Sequence, residues 1–250
     1  MSEPAKRRLP GVDQDVRHRG LPRGVNAIEP REAQALQRAR LFQALSACIA
    51  EHGYANTAVA DVLALARVSR RTFYQLFRDR EDCYLALLEQ GHEQLVAEVL
   101  AAQASAVGWR QHLERSHHAY LEFFVRQPLL AQALLVAVVA AGPRALAQRD
   151  RYHARFIRFQ SNLYALRQQD EPELPALPEE VFAVLIHGIN ELVASWVREG
   201  RSSELLRLEP VLLYVVGTVH GSAMDLPAVV PDAAVAGRRR RSRPREESGQ

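Results

Sequence analysis

The sequence predicts an all-α protein. Apolar residues recur at helical spacing throughout the region between two ends rich in proline, glycine or arginine. Pro128, Pro143 and Pro178 stand where first helical turns accept them, with Gly53, Gly142 and Gly200 at helix ends. No alternating apolar–polar run bounded by hairpin turns competes with this pattern.

The elements follow in order. Residues 1–30 mix Pro4, Pro10, Pro22 and Pro30 with Gly11, Gly20 and Gly24, and read as a disordered basic arm. Leu41, Leu45 and Cys48 then form one helical stripe, with Phe42 and Ile49 beside it, and Gly53 ends that helix. Thr57 reads as the N-cap of a short helix ending near Ala66, and Ser69 as the N-cap of another ending near Phe77. Asp79 caps a long helix running through Leu88, Leu95 and Val99 to about Ala104; Glu81 and Asp82 favour its N-terminal dipole. Further helices are expected at roughly 109–127, 128–140, 143–169, 178–199 and 204–221. Pro210 offers an alternative start for the last of these, with a short turn before it. Residues 226–250 carry the run Arg238-Arg239-Arg240-Arg241-Ser242-Arg243 and read as a disordered basic tail.

Composition narrows the function. At 250 residues, 48% hydrophobic and 24% charged, the chain has enough apolar material for one or two packed domains, which excludes a mainly disordered protein. The formal charge of +3 is unevenly spread. Residues 31–80 carry eight Lys/Arg against four Asp/Glu, whereas residues 81–236 carry twelve against nineteen. A basic front ahead of an acidic body points to a polyanionic partner at one end. Cys48 and Cys83 are too few for a disulfide framework and read as reduced thiols. No secretory apolar run occurs in the first 30 residues. The most apolar stretch, Leu129 to Gly142, is 14 residues long and broken by Gln132, short of the ~20 a membrane span needs. The expectation is a soluble, cytoplasmic protein with no membrane partner.

Two short helices joined by a tight turn inside a basic block make a helix-turn-helix candidate. The second reads Ser69-Arg70-Arg71-Thr72-Phe73-Tyr74-Gln75-Leu76-Phe77. Phe73 and Phe77 share one face, with Leu76 adjacent, leaving Arg70, Arg71, Thr72, Tyr74 and Gln75 to point outward. Arginine pairs bidentately with guanine in the major groove, whereas hydroxyls fix register on phosphates. The free N–H groups at the start of this helix suit phosphate as well.

Residues 38–85 resemble the DNA-binding domain of the tetracycline-repressor (TetR) family of bacterial transcription regulators. The resemblance lies in Arg38-x-x-Leu41-Phe42, Gly53-Tyr54 and Thr57-Ala58-Val59-x-Asp61-Val62, then in Ala66-Arg67-Val68-Ser69-Arg70-Arg71-Thr72-Phe73-Tyr74 and Phe77-x-Asp79-Arg80-Glu81. Four positions depart from the family. Arg67 stands where glycine is usual, Ala58 where a second hydroxyl is usual, Leu76 where an aromatic or histidine often contacts phosphate, and Arg80 replaces lysine. The expected DNA-binding set is Thr57, Arg67, Ser69, Arg70, Arg71, Thr72, Tyr74, Gln75 and Arg80.

The resemblance implies a sequence-specific transcriptional regulator, most often a repressor, that dimerises, binds a near-palindromic duplex operator and responds to a small-molecule effector. It also implies a dimer closed by two C-terminal helices from each chain. The expected organisation is a basic arm at 1–30, a helix-turn-helix domain at 31–78, a helical ligand-binding and dimerisation domain at 79–225, and a basic tail at 226–250.

The second half carries two further patterns. His117, Tyr120 and Phe124 share a stripe with Leu113 and Leu121, and Tyr152, Phe156 and Phe159 share another with Leu163. These aromatic faces line a ligand pocket or fill a core; periodicity does not separate the two. The segments 178–199 and 204–221 are apolar on more than one side, as helices buried on two sides are, and Phe182, Ile189, Val193, Trp196, Leu212 and Val216 are the expected dimer interface.

Competing readings stand beside these. Residues 1–30 are a plain leader or an arm reaching the minor groove through Arg17, Arg19 or Arg23. The Arg238–Arg243 run is a solubilising tail or a source of non-specific DNA affinity. His112, Glu114, His117, His118 and Glu122 include i, i+4 pairs compatible with metal ligation, but equally with an ion-paired helix surface. No phosphate loop, Cys/His set or nucleophile motif appears, so neither a cofactor nor an enzymatic activity is expected. The rival class is a ligand-responsive helical dimer acting through a protein partner, its DNA contacts eroded at Ala58 and Leu76.

Overall fold

The computed structural model describes residues 29–221, so the arm expected at 1–30, except for Glu29 and Pro30, and the tail expected at 226–250 lie outside the described residues with their proposed DNA contacts; Pro30 opens the first helix instead. The described chain is all-helical. In order it runs α1 (Pro30–His52), α2 (Val59–Ala66), α3 (Arg70–Leu76), α4 (Arg80–Gln103), α5 (Gly108–Arg126), α6 (Pro128–Ala131), α7 (Pro143–Asp170), α8 (Glu179–Arg198) and α9 (Glu209–Val219). A 3₁₀ helix at Ser202–Leu208 leads into α9, which starts at Glu209 with Pro210 in its first turn, close to the alternative start expected for this helix.

The first three helices form a small head. Leu41, Leu45, Val62 and Phe73 are buried at their shared centre. Phe42 meets Phe77 at 5.8 Å, and Phe77 meets Phe73 at 5.7 Å. The Arg38 guanidinium lies 5.1 Å from the Phe42 ring and 5.2 Å from the Phe77 ring, roofing this aromatic group with a cation. Gly53 ends α1 at φ 75°, a conformation that favours a residue without Cβ.

The start of α2 departs from the sequence reading. Thr57 does not cap it. Ala58 occupies the N-cap position, and its N–H donates to the Asp61 carboxylate at 3.3 Å. The Thr57 hydroxyl turns back instead and donates to the Gly53 carbonyl at 2.9 Å. Ser69 and Asp79 do cap their helices, accepting from Thr72 N–H at 3.0 Å and from Asp82 N–H at 2.8 Å.

The long α4 leaves the head and packs against α5 and α7. Two contacts bind it to the segment after α6. The Tyr84 hydroxyl donates to the Ala133 carbonyl at 2.6 Å. Gly91 faces Leu134 so closely that a Cβ would lie 3.0 Å from its Cδ1. That segment was expected to be one helix over 128–140, but it is α-helical only to Ala131 and continues as a π-helical turn at Gln132–Val136. The Ala137 N–H reaches back five residues to the Gln132 carbonyl at 2.9 Å, and the Gln132 amide donates to the Val197 carbonyl of α8 at 2.8 Å. Ala133, Leu134 and Leu135 are buried in succession, as in a segment enclosed on several sides. It therefore touches α1, α4 and α8 together.

Helix α8 is long and apolar enough by length and composition to cross a membrane, with a mean hydropathy of 1.3 over 18 residues. Its apolar residues divide between two faces. Phe182, Leu185, Ile189, Val193 and Val197 are buried within the chain, while Val184 is 75% exposed. The same division holds in α9, where Leu212 and Val216 are buried and Tyr214 and Val215 are exposed.

Candidate functional site

Helix α3 is seven residues long, so its axis is about 10 Å, short enough to lie across a major groove. Its orientation follows from the two phenylalanines four residues apart. Phe73 is 1% exposed and Phe77 4%, so the opposite face is presented to solvent. That face carries Arg70, Arg71, Gln75 and Tyr74, the last 52% exposed. Among the described residues, none forms an ion pair with Arg70 or Arg71. Ser69 and Thr72 share a hydroxyl contact of 2.8 Å at the start of the helix, with Ser69 exposed and Thr72 half-buried.

The tight turn between α2 and α3 is made by Arg67 at φ 53°, ψ 43°, a left-handed conformation in a residue with a Cβ. That conformation costs a non-glycine residue ~1–2 kcal/mol. In return the turn carries an exposed cation beside α3.

Two members of the expected DNA-binding set require correction. Thr57 is 0% exposed and its hydroxyl is engaged by Gly53, so it has no surface for a phosphate. Arg80 is a strut. Its Nη1 donates to the Tyr54 carbonyl at 3.0 Å and also to the Thr57 carbonyl, and its guanidinium stacks 4.4 Å from the Tyr54 ring. It ties the α1–α2 loop to the first turn of α4. A positively charged side chain four residues past α3 reads from sequence as a DNA contact, but the carbonyls of the α1–α2 loop lie nearer. Leu76 is half-buried against the head's core rather than offered to the duplex.

Replacing Tyr74 with phenylalanine removes one exposed hydroxyl and leaves the ring contact with Phe73, at 5.3 Å, intact. The expected result is a several-fold loss of affinity for every duplex alike, because phosphate contacts carry no sequence information. Mobility-shift titrations on specific and scrambled duplexes check this; equal affinity of variant and parent would remove Tyr74 from the phosphate set.

A second feature lies in the body of the molecule. Helices α4, α5, α7 and α8 surround a cavity of about 60 Å³, partly open to solvent. The sequence-predicted His117, Tyr120, Phe124, Tyr152, Phe156 and Phe159 all line it. So do His92, Leu95, Leu135, His153, Gln160, Ile186 and Asn190, which the sequence reading did not single out. Their signal was a polar residue on an otherwise apolar stripe: His92 between Leu88 and Leu95, and His153 and Gln160 flanking Phe156. Ile189, expected at a dimer interface, borders this space and also the groove between α8 and α9.

The interface expectation needs the wider correction. Phe182, Ile189, Val193, Leu212 and Val216 are buried inside their own chain, and the half-buried Trp196 is covered by the Arg201 guanidinium at 3.7 Å. A helix that is apolar all round hides which apolar side faces home. Val181, Val184, Leu192, Val211 and Val215 line an apolar groove between α8 and α9 on the outer side, and of the expected interface residues Ile189 and Leu212 border it.

The remaining polar groups have structural roles. His118 pairs with Glu209 of α9 at 3.0 Å rather than with Glu114 or Glu122, and no three potential metal-ligating side chains converge among the described residues. Both cysteines are buried, and burial pushes the Cys83 thiol up to about 12, away from thiolate reactivity.

Residues 41–87 match the family model described as "Bacterial regulatory proteins, tetR family". No curated protein matches the chain significantly. Among solved structures, the fatty acid degradation regulator FadR from Bacillus halodurans aligns with a TM-score of 0.65 at 17% identity, covering 72% of this chain and 95% of its own. FadR from Bacillus subtilis, solved in complex with stearoyl-CoA, aligns with a TM-score of 0.64 at 16% identity, over 71% of this chain and 96% of its own. A TetR-family transcriptional regulator from Streptomyces coelicolor aligns with a TM-score of 0.56 at 17% identity, over 74% and 94%.

Proposed function

We propose that the protein, whose residues 41–87 match the model of the tetR family of bacterial regulatory proteins, is a dimeric, sequence-specific DNA-binding repressor released from its operator by a small molecule. The observation that carries the reading is α3: two phenylalanines sealed inward, and two arginines, a tyrosine and a glutamine turned outward, within a segment of net positive charge. Arg70 and Arg71 read bases; Tyr74, Thr72, Ser69 and the cation of Arg67 position the head on phosphates, with Gln75 beside them. Residues 31–78 act as the reading head and residues 79–221 of the described chain as the sensing and pairing body.

The cavity supports an effector site, since it lies between helices and its walls are mostly apolar with a few polar groups among them. The Bacillus subtilis neighbour, solved with stearoyl-CoA, supports small-molecule binding in a body of this fold. Binding moves the heads only in proportion to the ligand's differential affinity for the two head spacings. The π-helical turn couples the two parts in this reading: Leu135 faces the cavity, while the Ala133 carbonyl accepts from Tyr84 of the helix that leaves the head.

The outer groove of α8 and α9 supports pairing with a second copy. Twofold symmetry then presents two α3 helices to half-sites about one duplex turn apart, ~34–36 Å, or a multiple of it. Val184→Asp places a charge on this groove without entering the chain's own core, as Val184 is 75% exposed. Its expected effect is a monomer in sedimentation with an unchanged helical spectrum and operator affinity reduced by at least a hundredfold. A dimer that persists would move the interface elsewhere.

Salt dependence tests DNA binding as a whole. A DNA-binding dimer loses affinity steeply with salt, as counterions released from phosphates are recovered. A flat response would transfer the function to a protein partner.

A further inference from the structure

The cavity between α4, α5, α7 and α8 is lined by no Asp, Glu, Lys or Arg. Its walls are aromatic and aliphatic, and its polar groups are histidines, amides and hydroxyls. Burial keeps the histidines uncharged: His92 and His153 are each held down to about 4, and His117 is shifted in the same direction. Most of these polar groups are already engaged. His92 Nδ1 lies 2.7 Å from the Leu88 carbonyl, and His117 Nδ1 2.7 Å from the Leu113 carbonyl. The Ser116 hydroxyl is taken by the His112 carbonyl.

Three buried atoms on the lining are left without a partner: Tyr120 Oη, His153 Nδ1 and Gln160 Oε1. His153 and Gln160 are 8% and 3% exposed. They stand two turns apart on one face of α7 with Phe156 between them, and Tyr120 joins them from α5. Buried hydrogen-bonding atoms are rarely left open in a folded chain. On a cavity wall they mark where an occupant supplies the missing donors and acceptors. An ionised occupant would find no opposite charge here and would be desolvated without compensation.

We propose that this cavity selects an uncharged amphiphile, an apolar ring-sized body bearing a hydroxyl group that pairs among the open groups of Tyr120, His153 and Gln160, over carboxylates and phosphate-bearing ligands. The inference rests on the reading of the cavity as the effector site.

Three probes of one shape test it on the full chain by calorimetry at pH 7.5: 4-hexylphenol, 4-hexylbenzoate and hexylbenzene, with decanoyl-CoA as a fourth. The phenol is expected to bind at least tenfold more tightly than the ionised benzoate and the acyl-CoA. It is also expected to bind at least tenfold more tightly than hexylbenzene, because a site built to hydrogen-bond a hydroxyl rejects the analogue lacking it. In Tyr120→Phe/Gln160→Leu the phenol's advantage over hexylbenzene disappears while hexylbenzene binds as before or better. That outcome separates hydrogen bonding from mere loss of shape. Benzoate or decanoyl-CoA binding as tightly as the phenol, with Ile186→Trp blocking both, overturns the uncharged class but leaves the cavity as a ligand site. Binding unaffected by Ile186→Trp, or no binding by any probe, overturns the effector-site reading and this inference with it. The phenol-to-benzoate ratio in the unmodified protein decides the class without requiring any variant to fold.

Discussion

Arg70→Ala and Arg71→Ala are each expected to abolish most of the preference for operator over scrambled DNA while leaving the protein folded. One bidentate arginine–guanine pair is worth ~1–3 kcal/mol of discrimination, and a twofold dimer loses it twice, which makes ~2–6 kcal/mol or roughly thirtyfold to more than ten-thousandfold. Folding should not change, because both side chains are exposed and neither holds an ion pair among the described residues. The measurement is a competition mobility shift using an operator selected from random duplexes, with scrambled DNA as competitor. Base contacts and phosphate contacts separate in the salt series. A base-reading variant loses its specificity ratio, whereas a phosphate variant such as Tyr74→Phe weakens all sequences together. A specificity ratio unchanged in both arginine variants would mean that α3 positions the head but does not read it.

The reading helix was legible in the sequence because its two signals agree. The Phe73/Phe77 spacing sets which side faces inward, and the polar residues between them have no partner within the segment. Local caps were legible for the same reason, since Ser69 and Asp79 act on N–H groups three residues away. Thr57 and Arg80 were not legible. Each is committed to a carbonyl of the α1–α2 loop, which becomes a partner only once that loop folds back. Arg67 was half legible: the turn was expected, and its left-handed backbone follows from packing Ala66 and Val68 inward on either side.

The body divides along similar lines. All six aromatic-stripe residues expected to face a pocket line one cavity, because stripes facing one another across a helical layer meet whatever the exact crossing. The outer face of α8 and α9 was legible only at Ile189 and Leu212, because a helix apolar on several sides has no periodic mark for the side that stays home. The π-helical turn escaped because its extra residue depends on Gln132 reaching α8, a contact 65 residues away in sequence.

Acid should destabilise this protein in a window set by its buried histidines. His92, His153 and His220 are each held down to about 4 from an ordinary 6.5, chiefly by burial. All three are almost completely sealed, and His220 is wrapped by Trp109, Tyr164 and Phe182 with neither ring nitrogen hydrogen-bonded. A depressed basic group costs nothing above its unfolded pKa, where both states are neutral. As pH falls below 6.5 the unfolded chain takes up protons that the folded chain refuses, so stability is lost progressively until about pH 4. The loss is ~1.4 kcal/mol per histidine per pH unit, so the three together cost about 4 kcal/mol by pH 5.5, a large share of a typical folding free energy. Asp79 and Glu171, both shifted down by hydrogen bonds, add their losses only at lower pH, as protonation begins to remove their native contacts. Thermal melts should therefore be level from pH 8 to 7 and fall steeply between 6.5 and 4.5. His220→Phe supplies the internal check. An uncharged ring in an aromatic cage should flatten the acid slope by about a third and stabilise the protein more at pH 5.5 than at pH 7.5. An acid slope identical to that of the parent would mean that His220 is protonated as readily in the folded chain as in the unfolded one, contrary to its enclosure.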